Sequence, residues 1–232
     1  MNRRQYLKSV STVSLLGTAA VSGCLGVSGS ESPPADENRS QGTFDLDRVD
    51  HPPHDPERPD DPGDTDDAWD EHYLGEGMAA EPTLSFEKRS HLNIVEPALP
   101  SPVDFEGAAV YKARIITNEA DAESTFTESD ELDVDFGEKS VIVIESGYGS
   151  SSVQHAWKRV EAIDDEVDQV HLHGYYVQPN VQTGDVASRY SVIIVDDPMD
   201  IEVAHVSLTV RDDARVNFSS DEGTVSVEED EF

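Results

Sequence analysis

Cysteine is almost missing from this chain of 232 residues, which holds a single one, Cys24. One cysteine excludes an internal disulfide, and if it is spent elsewhere it also excludes a thiolate-ligated copper site. Basic residues are scarce as well, 16 Lys and Arg against 49 Asp and Glu, for a formal net charge of −33. Recognition of a phosphate backbone needs a basic footprint, so nucleic acid is excluded as a partner. Strongly apolar runs of spanning length are lacking too. The run from Ser9 to Ala20 is diluted by Ser11, Thr12, Ser14, Gly17 and Thr18 and falls short of the roughly 20 apolar residues a spanning helix requires.

That weak run nevertheless sits in an informative order. A basic head containing Arg3, Arg4 and Lys8 precedes it, and Val21-Ser22-Gly23-Cys24 follows it. Basic head, apolar middle and small-residue exit describe an export signal over residues 1–23. The paired arginines resemble a twin-arginine signal, which hands folded proteins to the export machinery. Val-Ser-Gly-Cys resembles a lipobox, which implies cleavage before Cys24 and anchoring to the cell membrane by acyl chains on its sulfur.

The first 23 positions hold no acidic residue, so the remainder is more acidic than the whole. Self-repulsion on that scale opposes a compact fold at low salt. At molar salt the Debye length falls to about 3 Å and most of the repulsion is screened. The acid is spread along the chain rather than held in one patch. Together with the signal it resembles the secreted lipoproteins of salt-loving archaea, which places the domain on the extracellular face of the membrane.

Residues 24–80 read as a tether. Pro33, Pro34, Pro52, Pro53, Pro56, Pro59 and Pro62 recur among acidic and small residues, a composition that buries too little to offset chain entropy and predicts a disordered, extended segment. Trp69 to Leu74 interrupts it as a docking element or a recognition segment for a cell-surface protein. His51 and His54 would share one edge of a polyproline helix, but a flexible tether is a poor metal cage. Asn38 and Asn217 begin N-glycosylation sequons.

Residues 81–232 change character. Short β-branched stretches recur between turn signals: Thr83–Phe86, His91–Val95, Ala108–Ile116, Ser140–Glu145, Val153–Ile163, Gln169–Val177, Tyr190–Val195, Val203–Val210, Arg215–Phe218 and Thr224–Val227. This pattern predicts a single all-β antiparallel sandwich or barrel. Val141 to Ile144 and Val192 to Val195 are apolar on both faces and should lie centrally. Ala204, Val206, Leu208 and Val210 alternate with His205, Ser207, Thr209 and Arg211, predicting one wet face. Val153–Ile163 also fits a helical face through Ala156, Val160 and Ile163; its neighbours favour a strand. Asp164 to Asp168 is long enough for a hairpin loop, Asn118–Glu123 suits a short helical turn, and Glu228–Phe232 reads as a frayed tail.

Within that domain, Asp133-Val134-Asp135-Phe136-Gly137-Glu138-Lys139 leads into Ser140 to Ile144. A Gly147-Tyr148-Gly149 loop, two long strands, a turn at Pro179–Asp185 and Ser188-Arg189-Tyr190-Ser191 follow. Over Val110–Val195 this order resembles the C-terminal domain of the protease-complex accessory (PrcB-like) proteins, with Ser151-Ser152-Val153 and Arg189 departing from its pattern. The resemblance implies a small, β-rich, non-catalytic interaction module on exported proteins, and no substrate.

Two constellations invite chemistry. On a strand, His171 and His173 point to one face, Tyr175 stands next along, and His155 could join from a paired strand; imidazoles suit copper or zinc. The competing reading is a solvated strand face. Gly147 to Ser152 has serines without the Gly-x-Ser-x-Gly spacing of a nucleophile elbow, which argues against a hydrolase. The reading is therefore a lipid-anchored, exported protein whose β domain binds a ligand without catalysis, with a copper- or zinc-binding carrier or redox protein as the alternative.

Overall fold

A computed structural model describes residues 46–51, 84–89, 92–99, 108–163, 168–179, 181–185, 187–196 and 201–232. Arg3, Arg4, Cys24, Asn38, His54 and the Trp69 to Leu74 patch lie outside them. The described chain is mostly β, with one short α-helix. Its strands are β1 (Val49–Asp50), β2 (Phe86–Arg89), β3 (Ala109–Ile116), β4 (Lys139–Gly149), β5 (Gln154–Ala162), β6 (Gln169–Val177), β7 (Ala187–Asp196), β8 (Val203–Arg211), β9 (Ala214–Ser219) and β10 (Val225–Val227). They form two five-stranded sheets, β1-β9-β8-β6-β5 (sheet A) and β10-β3-β4-β7-β2 (sheet B), packed as a sandwich. Every pairing is antiparallel except β6 with β8. That pair runs parallel because the chain crosses to sheet B as β7 between them.

The period-2 pattern explains the packing. Ile142, Ile144, Ile193 and Val195 of sheet B face Val170, Leu172, Val206, Leu208, Val216 and Phe218 of sheet A across the main core. The alternate residues Val141, Val143, Val192 and Ile194 form a second core on the opposite face of sheet B, under Leu92, Ala122, Phe126 and Leu132. Burial on both faces is the reason β4 and β7 are β-branched throughout and central in the sheet. Helix α1 (Glu119–Thr125) supplies part of that cover. Asn118 caps it, its side chain accepting from the Asp121 amide at 2.9 Å, and acidic residues in the first turn suit its positive end.

Several expectations shift. Val49–Asp50, inside the stretch read as tether, pairs with β9 at Val216 and Arg215. His91–Val95 forms no strand in its described part, residues 92–95; Ile94 makes only an isolated bridge to Phe126. The first strand of sheet B begins at Phe86, later than Thr83. Val153–Ile163 is strand, and β5 pairs with β6 as the hairpin reading requires, while 164–167 in its loop lie outside the described residues. The C-terminus is not a frayed tail. A 3₁₀ turn spans Glu229–Glu231, and Phe232 packs on the core with the Arg211 guanidinium 4.5 Å above its ring.

Candidate metal and ligand face

Because Val170, Leu172, Val206, Leu208, Val216 and Phe218 point into the core, their neighbours on β6, β8 and β9 point out. Pairing then sets polar side chains in rows across the outer face of sheet A. Glu161, His171, His205 and Ser219 form one row; Arg159, His173, Ser207 and Asn217 form the next; Tyr175, Thr209, Arg215 and Asp50 form a third. This is the face expected to be wet. It is polar but enclosed: Ser207 and Thr209 are 2% and 1% exposed, and Arg159, His171, His173, Arg215 and Asn217 are all buried.

One donor atom each from Glu161, His171 and His173 lies within 4.8 Å of the others. His173 Nε2 is 3.4 Å from Glu161 Oε2, and Arg159 donates to Glu161 Oε1 at 3.0 Å. The two imidazoles meet at 3.8 Å between centroids. His171 Nε2 is 2.8 Å from Ser207 Oγ, which donates to Asn217 Oδ1 at 2.5 Å. The Asn217 amide nitrogen donates in turn to the Asp47 carbonyl at 2.8 Å. His173 Nδ1 has no hydrogen-bond partner, and Nε2 has only its 3.4 Å contact with Glu161. Burial lowers the pKa of His171 to about 2, helped by His173, His205, Arg215 and Arg159. Burial likewise lowers His173 to about 4, with Glu161 opposing. Both imidazoles are neutral near pH 7.

His155 does not join them. A bulge between Trp157 and Arg159 breaks the alternation of β5, so His155 and Trp157 face the core while Arg159 and Glu161 face outward. The register sets Glu161 opposite His171 and His155 opposite Tyr176, so Glu161 is the group beside His171 and the one that sequence reasoning missed. The bulge has no signature in Trp157-Lys158-Arg159 that spacing could reveal.

His155 instead centres a polar cluster between the sheets. Its Nε2 meets Ser146 Oγ at 2.6 Å and its Nδ1 meets Ser191 Oγ at 2.9 Å. Ser146 also bonds the Tyr176 hydroxyl at 2.7 Å, and the Tyr176 ring stacks on the imidazole. A serine within reach of a histidine has the makings of a nucleophile and base, but Ser146 is wholly enclosed, so the cluster is structural. Gly147-Tyr148-Gly149, expected to be a loop, is the end of β4, and Arg189, lying over Tyr176, donates to the carbonyls of Gly147, Ser150 and Val153, tying down that strand end and the Ser150–Ser152 loop. In that loop the Ser150 and Ser152 hydroxyls bond each other, and Ser150 also bonds Thr183. No described histidine is bonded to these loop serines.

The sequon at Asn217 is spent: its side chain is buried and bonded to Ser207 and Asp47, which leaves no room for a glycan. His51 accompanies β1, its Nδ1 against the Asp213 carbonyl, rather than a tether metal site. No protein-family model, curated protein or solved structure matches the chain.

Proposed function

We propose that this is an exported protein, anchored at the extracellular face of the membrane by lipid on Cys24, whose sandwich binds a ligand on the outer face of sheet A without catalysing a reaction. The signal features of residues 1–24 support the anchoring, and no helix among the described residues is long and apolar enough to cross a membrane. The non-catalytic role agrees with what the PrcB-like resemblance implies.

The ligand face rests on one observation: an enclosed face that leaves His173 Nδ1 without a hydrogen-bond partner and Nε2 with only a 3.4 Å contact to Glu161. A buried polar group in that state costs about 1–3 kcal/mol, a cost retained only where something else offsets it. Replacing it in the ligand-free full chain tests this. His173→Leu removes the unsatisfied nitrogen and should raise the melting temperature by a few degrees at pH 7.5, at about 2–4 °C per kcal/mol for a domain of this size. A fall of similar size would make the imidazole a structural element and remove the support for a ligand face.

A further inference from the structure

We infer that the ligand of this face is a divalent transition metal ion, zinc or copper(II), held by Glu161, His171 and His173. The inference rests on the outer face of sheet A being a ligand face, and it gives that ligand a chemistry.

Convergence is the first reason. Three protein groups from two adjacent strands bring donor atoms within 4.8 Å of one another, in a set of two imidazoles and a carboxylate. That set suits zinc or copper, whereas magnesium and calcium prefer oxygen alone. It also leaves a fourth position open for water or a small exchangeable ligand, as three-ligand sites do.

The hydrogen-bond order behind His171 is the second reason. Asn217 Nδ2 donates to the Asp47 carbonyl, so Asn217 Oδ1 faces Ser207. Ser207 Oγ donates its proton to that oxygen and must accept from His171. His171 therefore carries its proton on Nε2 and its lone pair on Nδ1. Outer groups that take one imidazole N–H and fix the tautomer are the usual support of a metal-ligating histidine.

His173 is the third. Buried, with no partner at Nδ1, it holds Nε2 3.4 Å from the Glu161 oxygen that Arg159 leaves free. A metal between them would satisfy both. The buried cations nearby are each matched by a carboxylate, Arg159 by Glu161 at 3.0 Å and Arg215 by Asp50 at 3.5 Å. His205 is held by Gln169 at 3.0 Å.

The acidic surface of this chain will bind cations weakly everywhere, so the test is a competition. Untagged, metal-free full chain in molar salt with excess magnesium is titrated with zinc and with copper(II), and binding is followed by calorimetry and by melting temperature. The expected result is one tight equivalent of at least one metal. His173→Ala or Glu161→Gln should weaken it at least tenfold. Ser207→Ala should weaken it about tenfold and alter the visible spectrum of the cobalt(II)-loaded protein, which a merely structural serine would not do. Absence of a magnesium-resistant equivalent, or one indifferent to His173→Ala, overturns the metal. If His173→Leu still stabilises the free chain in that case, the ligand face stands and its ligand is not a metal. If it destabilises, the ligand face falls as well.

Discussion

Lowering the pH from 7 to 5 should remove about 4 kcal/mol of stability through His171 and His173, and more through His155, so buried histidines rather than carboxylates should be responsible. In the unfolded chain each histidine titrates near 6.5. In the fold, burial holds His155 well below that value, aided by Arg189 and Lys88, while His171 and His173 lie at about 2 and about 4. Below pH 6.5 the unfolded chain takes up a proton at each position and the folded chain does not. Stability is fully present above 6.5 and is lost on acidification by about 1.4 kcal/mol per pH unit per histidine. At pH 5 that is about 2 kcal/mol each for His171 and His173 and about 4 together, with His155 adding in the same direction, against the 5–15 kcal/mol usual for a whole domain. Asp185, held at about 2 by hydrogen bonds from Ser151 and Thr183, adds its loss only at much lower pH. Urea unfolding of the metal-free protein in molar salt at pH 7, 6 and 5 measures the slope, and calorimetry in buffers of different ionisation enthalpy should find about two protons taken up on unfolding near pH 5.5 from His171 and His173, with further uptake from His155. His155→Gln should reduce the slope. Stability that is flat between pH 7 and 5, or a slope unchanged by that substitution, would refute the reasoning.

Other substitutions probe packing and anchoring. A Cβ on Gly174 would sit 2.5 Å from Trp157 Cε3 and 2.7 Å from the Ala156 carbonyl oxygen, so Gly174→Ala should cost about 1–3 kcal/mol or more in thermal unfolding. Arg114 donates to Glu145 at 2.7 Å, and Glu145 is only 3% exposed. Arg114→Ala should therefore destabilise by about 3 kcal/mol, and Glu145→Gln, which leaves the Arg114 charge 26% exposed rather than a carboxylate at 3%, by less. Cys24→Ser should shift the protein from the membrane fraction to the medium or stop its maturation. Arg3→Lys with Arg4→Lys should stop export, and normal secretion of that double variant would contradict the twin-arginine reading.

The β architecture was legible because burial on one or two faces writes itself into side-chain alternation. Val141 to Ile144 and Val192 to Val195 announced central strands, and His171-x-His173 announced two imidazoles on one face. Three things were not legible, each for a physical reason. The partner strand of His171 carries a bulge at Lys158 that turns Glu161 outward while His155 faces the core, and its register sets Glu161, not His155, opposite His171. Polarity at His205, Ser207 and Thr209 indicated an outward face, but polarity does not tell an open face from an enclosed one. Val49–Asp50 is too short and too embedded among acid and proline to show a period, and it becomes a strand only because β9 offers an edge.

The most direct measurement is the X-ray absorption spectrum of the full chain loaded with one equivalent of zinc in molar salt. The account predicts two imidazoles and a carboxylate oxygen in the first shell, with Zn–N near 2.0–2.1 Å and the imidazole scattering halved by His173→Ala. An all-oxygen shell, the signature of surface carboxylates, would contradict it.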